Sequence, residues 1–114
     1  MPRKGDHWEQ IATEHLEDKG LCIIERNYHC YRGEIDIIAL DLETVVFVEV
    51  KHRGPSSFTE PERALTEGKQ SRMITCAKKW IMENNYRGNA RFDLVAISGQ
   101  DLTHYEHAFR LDSL

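Results

Sequence analysis

Hydrophobic positions change their spacing several times along the chain, and each change marks an element. In "HWEQIATEHLEDKG", Trp8, Ile11, Ala12, His15 and Leu16 recur at helical spacing, and Gly20 follows as a C-cap. This predicts a helix over 6–19. "LCIIERNYHCY" is β-branched and aromatic, which predicts a strand over 21–29, and Arg32-Gly33 supplies a turn. "EIDIIAL" and "VVFVEVKHR" read as a hairpin joined through Asp41 to Thr44. "GPSSFTEPERALTEG" reads as a loop, with Thr59 and Glu62 set as a capping box for a short helical turn. A longer helix follows over 66–84, with Met73, Ala77, Trp80 and Ile81 on one side. "RFDLVAIS" and "HYEHAFRL" are the fourth and fifth strands.

The predicted order is α-βββ-α-β-β. A strand that returns through a helical crossover suits a parallel neighbour, so the expected fold is an α/β sandwich with a mixed central sheet flanked by helices. At 114 residues the chain is read as a single domain over 1–114. Its 40% hydrophobic and 30% charged residues are those of an ordinary globular protein. No apolar run approaches the roughly 20 residues of a membrane span, and the N-terminus lacks the apolar stretch of a signal peptide. The expectation is a cytoplasmic protein without a membrane partner.

The three cysteines, Cys22, Cys30 and Cys76, are odd in number and show no CxxC spacing. That predicts reduced thiols rather than a disulfide framework, and Cys22, Cys30 and His29 lack the spacing of structural zinc sites. The net charge of -4 argues against a nucleic-acid partner until its distribution is seen. Residues 1–50 hold five Lys/Arg and eleven Asp/Glu; residues 51–91 hold nine and four; residues 92–114 hold one and four. A basic segment inside an acidic chain still tracks phosphates at contact distance, although a solvated helix surface has the same composition.

The chemistry sits in the hairpin. With the turn centred between Leu42 and Glu43, cross-strand partners have numbers summing to about 85. Asp36 then falls opposite Glu49, and Glu34 opposite Lys51, on one face. Two facing carboxylates on a half-buried sheet repel, so folding alone does not select the pairing. A hard cation such as Mg²⁺ or Mn²⁺ between them reverses the sign of the interaction. Ion pairing with an arginine, with Lys51 screening the patch, explains the same residues, and spacing alone leaves both readings standing. Metal, carboxylates and lysine together suit phosphodiester hydrolysis by an activated water. No GxSxG and no GxxxxGK[ST] occurs, which removes serine-hydrolase and phosphate-loop chemistry.

"GEIDIIA" followed by "VFVEVKHR" resembles the YraN-like proteins, a bacterial family with a restriction-endonuclease-like fold. The Asp…Glu-x-Lys pattern is similar to the PD-(D/E)xK nucleases, notably archaeal Holliday-junction resolvases. "GDHWEQIATEHLEDKG", "GKQSRMITCAKKWI", "RFDLVAI" and "HAF" extend the likeness over nearly the whole chain. The resemblance implies a metal-dependent endonuclease acting on DNA, including branched DNA, with a non-catalytic nucleic-acid-binding module as the alternative. It implies Asp36 and Glu49 as metal ligands with the Val50 carbonyl, Lys51 as the catalytic lysine and Glu9 as a helical glutamate near the metal. Lys69 and Gln70 match a lysine-glutamine pair that meets the DNA backbone. Their place on the loop and long helix makes Arg53, Arg72, Arg63, Lys78 and Lys79 candidate phosphate contacts, although each alone reads equally as a solvated charge. A homodimer fits relatives that reach two strands. The family usually has glycine before the helical glutamate, where this chain has Trp8.

Five residues outside the hairpin complete the reading. Asp93 is read as structural, paired with Arg91 or Arg53. His104 and His107 are read as an isolated surface pair, and Trp80 and Ile81 as core.

Overall fold

The computed structural model describes residues 6–53 and 65–110. In chain order the elements are helix α1 (Asp6–Asp18), strands β1 (Cys22–Cys30), β2 (Gly33–Asp41) and β3 (Thr44–Arg53), helix α2 (Glu67–Glu83), and strands β4 (Asn89–Ser98) and β5 (Asp101–Phe109). The order matches the one the periodicity predicts. The capping box at Thr59 and Glu62 and the phosphate contact at Arg63 lie outside the described residues.

One helix stops and the other starts where the sequence places a cap. Gly20 takes φ +98, and the Leu21 and Gly20 N–H groups donate to the Leu16 and Glu17 carbonyls. This is a Schellman closure, which glycine enters without the steric penalty of a Cβ. At the other helix, the Thr66 hydroxyl accepts the Lys69 N–H at 3.2 Å and caps the N-terminus of α2.

The five strands lie in chain order in one sheet. All neighbours are antiparallel except β3 and β4, which run parallel through the α2 crossover. The result is a mixed-sheet α/β sandwich, consistent with the restriction-endonuclease-like architecture that the family resemblance implies. On one face α2 packs Met73, Ala77 and Trp80 against Ile38, Phe47, Phe92 and Leu94. On the other, Ala12 and Leu16 of α1 cover Ile37, Ala39, Val46, Val48 and Val95. Neighbouring residues of β2 and β3 thus serve opposite layers, as the two-residue period requires, and both strands are apolar on both faces. Among the described residues, no helix is long and apolar enough to cross a membrane.

The cysteine reading is corrected here. Cys30 and Cys76 are joined in a disulfide, and Cys22 is exposed. Their separation of 46 residues hid a Cα–Cα distance of 5.4 Å, produced when α2 docks beside the end of β1. Chain spacing reports such a pair only when both cysteines sit in one local motif.

Candidate functional site

The β2–β3 ladder follows the expected register from Asp41–Thr44 up to Ile37–Val48 and stops there. Beyond it the Asp36 side chain takes over, its Oδ2 accepting the Val50 N–H at 2.8 Å. The two strands part at this point, and the opening between them is a cleft of about 280 Å³. Glu34 and Asp36 enter it from β2, Glu49, Lys51 and His52 from β3, Glu9 from α1 and Lys69 from α2.

Both central carboxylates are buried, Asp36 at 6% and Glu49 at 3% exposure. Burial, the Glu49 charge and a hydrogen bond shared with Glu49 push the Asp36 carboxyl up to about 8; the Val50 N–H works against them, and Glu9 adds a smaller upward push. The two oxygens of Glu49 are used differently. Oε2 meets Lys51 Nζ at 3.4 Å and Lys69 Nζ at 3.2 Å. Oε1 is buried and has no donor while Asp36 is ionised; only a proton held by Asp36 supplies one. A carboxylate is thereby charge-compensated on one side and left with open lone pairs toward Asp36 on the other.

The structure gathers most of the residues singled out from sequence, though not all. Glu9, Asp36, Glu49, Val50, Lys51 and Lys69 share the cleft. Gln70 instead turns its side-chain amide to the Leu65 carbonyl at 2.8 Å. Arg53 is exposed at the end of β3, and Arg72 lies in a separate groove with Tyr31 and Arg32. Glu34 pairs with His29 at 3.6 Å rather than with Lys51. Trp8 lines the cleft together with Glu9. Its ring stacks on His52, with centroids 3.7 Å apart and planes within 9°.

Two features were not legible beforehand. Lys69 reads as a phosphate contact in the sequence, yet it neutralises Glu49 within the protein. No chain pattern signals that, since α2 and β3 meet only in the fold. The second is at the far end of the sheet. Asp93, fully buried, takes hydrogen bonds from Arg91 at 3.1 Å, as expected, and lies 2.7 Å from the His104 ring. The His104 side chain is 2% exposed, so the surface-pair reading is wrong for it. A register shift between Phe92 and Leu94 lets β5 bulge around Asp93, and the His107 N–H turns inward to the same carboxylate at 3.2 Å. Burial draws the Asp93 carboxyl upward, but His104, Arg91 and the His107 amide outweigh it and hold it below its ordinary value.

Comparison with known proteins fits the motifs that line the cleft. The model of the family described as "Uncharacterised protein family UPF0102" matches residues 8–97, a span that includes every cleft residue named above. The chain belongs to the UPF0102 family. A UPF0102 protein of Sulfurihydrogenibium sp. is 40% identical over 96% of both chains. One from Saccharophagus degradans is 38% identical over 95% of this chain and 93% of its own. Another, from Nitrosococcus oceani, is 36% identical over 96% and 94%. UPF0102 is thus the family that the YraN-like motifs "GEIDIIA" and "VFVEVKHR" indicate, and the likeness runs the length of the fold.

Proposed function

We propose that this UPF0102 protein is a metal-dependent endonuclease that hydrolyses phosphodiester bonds in DNA, including branched DNA. The observation that carries the reading is the buried Asp36–Glu49 pair, in which Glu49 Oε1 has no donor once Asp36 is ionised. Unrelieved carboxylate pairs in a low-dielectric site are unfavourable, and a hard cation relieves them.

The donor set fits Mg²⁺ or Mn²⁺. Asp36, Glu49 Oε1 and the Val50 carbonyl are all oxygen. Among the described residues, no three His, Cys, Asp or Glu side chains are gathered as a ligand set. Two carboxylates with water and substrate phosphate are what Mg²⁺ commonly takes. Such an ion, when bound, would supply Lewis acidity and a bound water more acidic than bulk water.

The rest falls to the chain. The Val50 N–H holds the Asp36 carboxylate in one orientation. Glu49 positions the Lys51 ammonium at 3.4 Å, where it faces the cleft and can contact a phosphate oxygen as negative charge builds. Lys69 holds the same carboxylate from α2 and brings a second positive charge to the phosphate path. A DNA partner, a second copy of the chain to reach the opposite strand, and work in the cytoplasm belong to this reading.

One observation favours the alternative, a nucleic-acid-binding module without catalysis. Lys51 and Lys69 both neutralise Glu49 with no ion needed. The two readings part on cleavage of junction, flap and linear DNA with Mg²⁺ or Mn²⁺. Asp36→Ala and Lys51→Ala should each lower cleavage by at least about a hundredfold. Undiminished cleavage by both variants removes this site from the chemistry. Metal-independent, salt-sensitive binding with no turnover assigns the module instead.

A further inference from the structure

We infer that the groove next to the cleft binds an unpaired nucleic-acid strand, with a base stacked on Tyr31 and phosphates held by Arg32 and Arg72. The inference rests on the nuclease reading and narrows its substrate to nucleic acid with a single-stranded arm.

Tyr31 stands at the β1–β2 turn with 90% of its surface exposed, so it contributes nothing to the core. The Arg32 guanidinium lies 5.3 Å from the ring centroid. An arginine beside an exposed aromatic is the pairing that single-strand binders use, one group for phosphate and one for the base face. The ring borders a groove of about 400 Å³ whose opposite wall is α2, where Gly68, Ser71 and Thr75 leave room for a planar group. Arg72 adds the second cation, and none of the described lining residues is acidic. In a protein of net charge -4, that local balance complements a phosphate chain.

The groove also leads to the chemistry. A Cβ on Gly33 would come within 3.2 Å of the Arg72 Cβ, so a larger residue would push α2 a few tenths of an ångström away from the turn. Glu34, the next residue, already lines the cleft, as does Lys69, which precedes Arg72 by one helical turn. A strand lying on Tyr31 and Arg72 therefore continues past Lys69 to the Asp36–Glu49 pair. Bases inside a duplex have both faces stacked on their neighbours, so away from a duplex end Tyr31 engages a base that is unpaired.

The test is fluorescence anisotropy with the full chain and a chelator, using labelled flap DNA and blunt duplex. Tyr31→Ala should weaken flap binding about tenfold and leave duplex binding unchanged, while Tyr31→Phe retains wild-type affinity. Arg32→Gln with Arg72→Gln should flatten the salt dependence for a single-stranded oligonucleotide by about 1.4 in log-log slope, roughly 0.7 per phosphate. Equal affinities of Tyr31→Ala and wild type for the flap overturn the proposal, as do equal losses on flap and duplex. Cleavage by Asp36→Ala is read separately. If that variant cuts normally while Tyr31→Ala loses the flap, the nuclease site is wrong and the groove stands. If Asp36→Ala is dead while Tyr31→Ala binds normally, the groove is wrong and the site stands.

Discussion

Replacing Asp36 with asparagine removes a charge that the fold holds at a cost. The native carboxyl titrates at about 8, against an ordinary value of 3.8. Between these values the native state holds the proton more tightly than the unfolded chain, so stability falls as pH rises from about 4 to about 8. Carried to pH 7, the shift corresponds to a folding cost on the order of 4 kcal/mol. Asparagine keeps the shape. Its Oδ1 accepts the Val50 N–H, and its amide offers Glu49 Oε1 the donor that an ionised Asp36 cannot supply. Desolvating the amide returns part of the gain, leaving a net stabilisation of roughly 2 kcal/mol, or about 8 °C in Tm for a domain of this size. Thermal melts with a chelator should show Asp36→Asn more stable than wild type near pH 8, the two converging near pH 4. Tenfold excess Mg²⁺ over its Kd should then raise wild type by about 1.4 kcal/mol at pH 8 and leave the variant unmoved. A variant no more stable than wild type at pH 8, or a difference that ignores pH, refutes the argument that this pair is electrostatically unrelieved.

Asp93→Asn should behave in the opposite sense, costing about 1.5–3 kcal/mol in urea unfolding, because Arg91 keeps Asp41 and Glu106 but loses its charged hydrogen bonds to the buried carboxylate. The wild-type contribution is present above the ordinary carboxyl value of 3.8 and is lost as pH falls through the lower native one, so the two proteins should converge in acid. Opening the Cys30–Cys76 bridge, which closes a loop of 46 residues, should cost about 4 kcal/mol. Melts with and without reductant measure this, and Cys30→Ala with Cys76→Ala should make reductant irrelevant. Leu42 sits at φ +56 in the β2–β3 turn with 90% exposure, so Leu42→Gly should stabilise by about 1 kcal/mol in urea, with no change in the slope against denaturant.

Much of the molecule is determined by the chain read on its own. Helix α1, its glycine stop and the Thr66 start of α2 follow from local chemistry, because caps and periodicity act within a few residues. The β2–β3 register follows too. A two-residue turn between Asp41 and Thr44 sets the pairing of the two strands, and that pairing aims Asp36 at Glu49. Tertiary structure decided everything that needs side chains from different elements to meet. Lys69 reaches Glu49 only because α2 crosses over β3. Cys30 finds Cys76 across 46 residues, and His104 is buried on Asp93 only because β5 bulges beside β4. The physical division is one of range. Backbone geometry and turn chemistry are settled between near neighbours in the chain, whereas the partner a buried charge finds depends on which distant surfaces the packed sheet brings together.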